Sequence, residues 1–225
     1  MEVLIRLSHI DIEAPQAEAM GDAWLASGER VRLGRMRSAD VRRRFVAGHW
    51  LARKGLAEFA GGVPEDWLLG QDDGGAPLAV HADGRTSPQL SISHSGDLLV
   101  CAVASAAVGV DVEAPGPARD LARLASMVFG EAERTSMQAL DAAAREAYFY
   151  PRWTLREAWL KCRRCGLAPA RMRSLRLLPV DSDAEARTWR AERAWLALSG
   201  APGMRVTMAG ASGFQADAMW RIEEG

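Results

Sequence analysis

Trp153-Thr154-Leu155-Arg156-Glu157-Ala158-Trp159-Leu160-Lys161 is the stretch on which the reading of this chain turns. Coiled as an α-helix, it sets Trp153, Glu157 and Lys161 at i, i+4 and i+8, along one stripe. A surface helix with an ordinary ion pair has the same spacing, so the stripe gains meaning only if other segments need a carboxylate beside an ammonium. The helix is expected to open at Asp141 and to end near Gly166. Pro151 inside it lacks an amide hydrogen and crowds the carbonyl four residues back, which predicts a kink or two abutting helices.

Working upstream, Val108-Gly109-Val110-Asp111-Val112-Glu113 alternates with period two. As a strand it turns Asp111 and Glu113 to one face and Val110 and Val112 to the other. Two neighbouring carboxylates repel unless something compensates them, and a hard divalent cation suits their oxygens. Mg²⁺ is expected, with Mn²⁺ also compatible; a solvated acidic strand end is the plain alternative. Leu90-Ser91-Ile92-Ser93-His94-Ser95-Gly96 puts hydroxyls and an imidazole at a strand-to-turn junction, fit for phosphate contact or simply for a hairpin. A Ser/His hydrolase is disfavoured, since adjacent strand residues face opposite ways and no Gly-x-Ser-x-Gly elbow occurs. Cys162-Arg163-Arg164-Cys165 falls at a helix C-terminus, the wrong end for a redox pair, and no second pair exists to complete a zinc site.

The 225 residues are 48% hydrophobic and 25% charged with net charge −1, so no global field favours nucleic acid or an anionic membrane. Positive charge is nevertheless local, in Arg35, Arg37, Arg42, Arg43, Arg44, Arg53 and Lys54. Most of these sit on a helix expected from the Ser38 N-cap to about Ala60. Guanidinium groups there could grip phosphates or merely face solvent. No aromatic interleaving accompanies them. No apolar run approaches the roughly 20 residues of a membrane span. Glu2, Arg6, Asp11 and Glu13 are unlike a secretory leader, and three cysteines make no disulfide framework, so a reducing cytoplasm is expected; a monomer is expected because two halves of one chain could already complete a site.

The remaining order is a strand at Val3–Leu7, a helix at Ala17–Ala26 after Pro15, and a loop-rich Gly62–Pro88. Strands are expected at Leu90–Ser93, Leu98–Ala104 and Val108–Val112, then a break at Ala114-Pro115-Gly116-Pro117. Short helices follow at Arg119–Val128 and Glu131–Leu140. Past the long helix come strands at Ser174–Val180, Thr188–Ala191, Ala194–Leu198 and Met204–Ala209, then a loose tail. Helix-then-strands thus occurs twice. The expectation is an α+β fold of two similar halves in pseudo-twofold arrangement, 1–105 and 106–225, each with a small antiparallel sheet and a long helix.

Taken together, these segments resemble the two-halved, Sfp-like phosphopantetheinyl transferases. That family pairs Gly-Ile/Val-Asp-x-Glu with a later Trp-x-x-Lys-Glu-x-x-x-Lys, and this chain has Gly109-Val110-Asp111-Val112-Glu113 and Trp153 to Lys161. Ser93-His94 and the basic helix match in the same order. The resemblance implies a holo-carrier-protein synthase, which moves the 4′-phosphopantetheine arm of coenzyme A to a serine of an acyl or peptidyl carrier protein. It implies Asp111, Glu113 and Glu157 as ligands of Mg²⁺, with Glu157 as base and Lys161 as charge stabiliser. Arg43, Arg53, Gly75, Ser93, His94, Asp111 and Lys161 are implied as coenzyme A contacts. The first half becomes the coenzyme A side and the second the metal and catalytic side. Leu124, Met127 and Phe129, with Arg119 and Arg123, form the expected carrier surface. Two positions depart from the pattern: Arg156 replaces a lysine, and Ala76 stands in Gly75-Ala76-Pro77 where the family has Gly-Lys-Pro near the phosphates. The competing functions are a Mg²⁺-dependent coenzyme A pyrophosphate hydrolase and a non-catalytic module binding coenzyme A or carrier protein.

Overall fold

The computed structural model describes residues 1–85, 88–114, 116, 119–210 and 213–225. β1 (Glu2–His9) alternates inward Val3, Ile5 and Leu7 with the opposite face, and α1 (Ile10–Ala19) follows it at once. That helix passes through Pro15, so it begins seven residues before the expected Ala17 start. α2 (Ser27–Arg35) then occupies a segment whose polar composition hides its helical period. α3 (Ala39–Ala60) starts where Ser38 Oγ accepts the Val41 amide at 3.5 Å, and stops at Gly61, whose φ of +83° lies outside the helical region.

Within the expected loop, β2 (Trp67–Gln71) and β3 (Pro77–His81) form a hairpin, a correction to the sequence reading. Then come β4 (Gln89–Ser95), β5 (Leu98–Ala104) and β6 (Gly109–Glu113). The expected break beyond Ala114 lies partly outside the described residues, at Pro115 and Pro117. α4 (Leu121–Val128) and α5 (Glu131–Gln138) lead to α6 (Ala142–Cys162), capped by Asp141 and continuous through Pro151. α7 (Pro169–Ser174) precedes β7 (Leu175–Pro179), β8 (Ala186–Ala191), β9 (Ala194–Ser199) and β10 (Arg205–Gly210). β11 (Gln215–Glu224) replaces the expected loose tail with a strand paired to both β7 and β8.

Two larger sheets result, ordered β10-β1-β5-β4 and β6-β9-β8-β11-β7. The second is antiparallel throughout. The first is mixed, because β10 pairs with β1 in parallel, so the sheets do not respect a boundary at 105/106. β5 explains the layering. Leu99, Cys101 and Val103 point to Leu51 and Leu56 of α3, while Val100, Ala102 and Ala104 point to Val110, Val112, Leu196 and Leu198 of the other sheet. A strand covered on both faces has no need of polar alternation, and its Leu-Leu-Val-Cys-Ala-Val-Ala run shows none. On the far side, Leu155, Ala158 and Trp159 of α6 pack on Trp195 and Ala197. The order is therefore helix, sheet, sheet, helix, an α+β architecture with one long helix on each outer face. Among the described residues, no helix is long and apolar enough to cross a membrane.

Candidate active site

β4 and β6 are the edges of their sheets and run together without a backbone ladder between them. Serine hydroxyls replace the ladder. Ser91 Oγ accepts the Val110 amide at 3.0 Å, Ser93 Oγ donates to Asp111 Oδ1 at 2.6 Å, and Ser95 Oγ accepts the Ala114 amide at 3.0 Å while donating to Glu113 Oε2 at 3.0 Å. The Leu-Ser-Ile-Ser-His-Ser alternation is thus what joins the two sheets, since every second side chain meets the same neighbour.

α6 crosses this seam from the other side. A Cβ built on Gly109 would lie 1.9 Å from the Ala158 carbonyl oxygen and 2.4 Å from the Cys162 amide nitrogen, so the helix approaches the strand as only glycine permits. That approach brings Glu157 to the carboxylates of β6: one oxygen each from Asp111, Glu113 and Glu157 lie within 4.8 Å of one another. Lys161, one turn on, donates to Asp111 Oδ1 at 2.6 Å and to Ser93 Oγ at 2.8 Å. Trp153, one turn back, donates its indole N–H to Glu113 Oε1 at 3.1 Å, and Arg119 reaches the same carboxylate at 3.3 Å. The tryptophan, which the sequence suggests only as packing, therefore also orients a carboxylate.

Electrostatically the three carboxyls crowd one another, and Lys161 and Arg119 are the cations beside them. Burial, then the Asp111 carboxylate, pushes the Glu157 carboxyl up to about 8, against the pull of Lys161. Asp111 is 2% exposed, and its Oδ2 is buried without a hydrogen-bond partner, while Oδ1 takes both Lys161 and Ser93. A buried unpartnered carboxylate oxygen beside two further carboxylates fits a hard divalent cation.

A cavity of about 300 Å³ opens beside Lys161. Gly74, Gly75, Ala76 and Pro77 of the hairpin wall it on one side, and Cys162 at the end of α6, with Arg164 and Leu167 beyond it, on the other. A second cavity, also of about 300 Å³, shares Pro77 and Ile92 with the first and is lined by Arg32, Met36, Arg44, Phe45, His49 and His94. Ser93 and His94 accordingly divide the work of β4, the hydroxyl turned to Asp111 and the imidazole to the second cavity. Burial and then the positive charge of Arg44 hold the His94 imidazole below its usual pKa.

Two residues expected as coenzyme A contacts, Arg43 and Arg53, line neither cavity. Arg43 donates to Asp11 at 2.8 Å and lines a separate groove with Ala17, Glu18 and Asp22. Arg44, about 100° further around α3, faces the His94 cavity instead, with a buried and unpartnered Nε. Arg53 is fully buried, its guanidinium hydrogen-bonded to Glu29 and stacked 4.7 Å over Trp24, so it holds α2 on α3 and touches neither cavity. On the expected carrier surface, Met127 is 45% exposed and Arg119 and Arg123 are open, but Phe129 is wholly buried against Phe149. Arg156 is buried too, donating to Glu133 at 2.6 Å and to the Met172 and Leu175 carbonyls, away from the acidic cluster.

The family model described as the 4′-phosphopantetheinyl transferase superfamily matches residues 107–203, which hold β6, α6 and β9. The 4′-phosphopantetheinyl transferase HetI of Nostoc is 28% identical over 79% of this chain and 76% of its own. A 4′-phosphopantetheinyl transferase of Bacillus subtilis is 30% identical over 72% of this chain and 71% of its own. A crystal structure of a Bacillus anthracis holo-(acyl-carrier-protein) synthase in complex with CoA aligns at a TM-score of 0.37 and 23% identity, over 45% of this chain and 91% of that one. With a 30% identical relative covered across most of its length, the chain belongs to the 4′-phosphopantetheinyl transferase superfamily.

Proposed function

We propose that this enzyme transfers the 4′-phosphopantetheine arm of coenzyme A to a serine hydroxyl of an acyl or peptidyl carrier protein. The serine oxygen bonds to the β-phosphorus, the pyrophosphate P–O bond breaks, and 3′,5′-adenosine bisphosphate leaves with the electron pair. The observation that carries this reading is the convergence of Asp111, Glu113, Glu157 and Lys161 at a seam where the cavity beside Lys161 is walled by both halves, with the second cavity next to it on the first half. Phosphoryl transfer asks mainly for positioning and for charge stabilisation, and such a seam supplies both.

Asp111, Glu113 and Glu157 would hold Mg²⁺, or Mn²⁺, which when bound neutralises charge on the pyrophosphate. Lys161, set by Asp111 and Ser93, stabilises charge on the phosphoryl and leaving oxygens. Glu157 accepts the serine proton. Arg44 and His94 hold the nucleotide end of coenzyme A in the second cavity, and Gly75 lets the hairpin wall come close to the phosphates. Arg119 links the acidic cluster to α4, where the exposed Met127 and Arg123, beside a half-buried Leu124 that packs on the core, would meet an acidic carrier. The carrier side therefore falls on the second half and the nucleotide side on the first, and a monomer of the reducing cytoplasm suffices.

Intact-mass analysis of an apo carrier with coenzyme A and Mg²⁺ tests the reading. The carrier should gain one phosphopantetheine arm, and Glu157→Gln should slow this by about 10²-fold or more while sparing the fold. Release of 3′,5′-adenosine bisphosphate without any mass gain on fatty-acid, polyketide or peptide carriers would instead mark a hydrolase.

A further inference from the structure

The β2–β3 hairpin belongs to the first half by its packing, against α3, β4 and α2. Its turn nevertheless walls the cavity that contains Lys161, which the second half provides. Among the described residues, one hydrogen bond joins the hairpin to the second half: Arg164 Nη1 donates to Asp72 Oδ2 at 2.7 Å. The same guanidinium donates through Nη2 to Gln89 Oε1 of β4 at 2.6 Å. Arg164 adopts a φ of +53° as the residue that closes α6, where its amide donates to the Lys161 carbonyl at 3.0 Å and the Cys165 amide to the Leu160 carbonyl at 2.9 Å, so the helix end itself fixes the backbone from which the guanidinium projects.

Asp72 divides its two oxygens between two tasks. Oδ1 accepts the amides of Gly74 at 3.0 Å and Ala76 at 2.8 Å, which shapes the turn. Oδ2 is left for Arg164. The turn is thus formed by one oxygen and docked by the other. Nothing else in the hairpin's hydrogen bonding ties its tip to the end of α6, although both lie on the same cavity.

We propose that Asp72 and Arg164 are positioning residues that clasp the Gly74–Ala76 wall against the end of α6, so that the coenzyme A cavity is complete only while the two halves are docked there. The proposal rests on the functional reading above and names which part of it the pair serves: binding of coenzyme A, and neither the carrier nor the chemical step. An exposed ion pair contributes little to global stability, so its effect should appear in ligand binding and hardly in unfolding.

Isothermal titration of the full chain with coenzyme A and Mg²⁺, without carrier, reads this directly. Asp72→Asn retains an oxygen for the turn amides and removes the charged acceptor, and Arg164→Ala removes the donor. Each should raise the Kd for coenzyme A about tenfold, equivalent to about 1.4 kcal/mol. The double variant should be no weaker than Arg164→Ala alone, which already breaks the Asp72 contact together with the one to Gln89. Arg164→Lys should recover part of the loss, kcat at saturating coenzyme A should stay within about twofold, and melting temperature should move by less than about 4 °C. Parent-like Kd values in both single variants, or losses that multiply in the double variant, would overturn the clasp. If the parent chain itself fails to bind coenzyme A, the functional reading falls and the clasp with it.

Discussion

Glu29 and Arg53 show what a single buried charge demands in this protein. Burial alone would raise the Glu29 carboxyl, but hydrogen bonds from His49 and Arg53 outweigh it and bring the pKa down to about 2. A carboxyl whose folded pKa lies below its ordinary 4.5 stabilises the fold fully above pH 4.5 and loses that contribution as pH falls through about 2. Glu29→Gln should therefore cost about 3 kcal/mol in urea unfolding at pH 7, and the gap from the parent should narrow steadily between pH 4.5 and 2. A gap independent of pH would place the effect in packing alone. The same residue scale shows where sequence stops being legible. Asp111 and Glu113 share a face by period two, and Glu157 and Lys161 by helical spacing, both local rules. Choosing among Arg42, Arg43 and Arg44 requires knowing which side of α3 meets β4, and distinguishing Arg53 from its neighbours requires knowing that Glu29 lies over it. Those are tertiary facts.

At the scale of elements, the meeting of β6 and α6 is the tightest joint. Gly109→Ala must push the helix off the strand, because its Cβ would collide with backbone atoms that no rotamer change can move. Weaker Mn²⁺ binding, by tenfold or more in paramagnetic titration, should accompany a melting temperature several degrees lower. A variant that binds Mn²⁺ normally would show that Glu157 reaches the cluster without that joint. α6 also shows tertiary packing overriding local propensity. Phe149 and Tyr150 before Pro151, and Leu155 and Trp159 after it, are all buried, so the core holds the helix through one lost hydrogen bond. The β2–β3 hairpin was hidden by its turn-forming Asp72-Asp73-Gly74-Gly75, which outweighs two short strands in any local reading. β11 was hidden because its burial comes from neighbours on both sides and not from its own alternation.

At the scale of the whole molecule, residues 1–105 are joined to the rest of the chain by three devices: the serine seam, the apolar layer between the sheets, and the parallel pairing of β10 with β1. A fragment of residues 1–105 lacks the strand beside β1 and the cover over Val3, Ile5, Leu7, Val100, Ala102 and Ala104. It should give a collapsed proton NMR spectrum or aggregate, and co-expression with 106–225 should restore dispersion. A well-dispersed spectrum from the fragment alone would make the first half an independent domain. The pairing of Glu2 with Arg205 has one more consequence, in time instead of space. β1 is translated some 200 residues before its partner, an interval of about 10–40 s at about 5–20 residues per second. Through that interval the first sheet waits with an open edge. The nascent chain is therefore most vulnerable to strand-to-strand capture by its neighbours on the same polysome, and a ribosome-bound chaperone would matter most before β10 emerges.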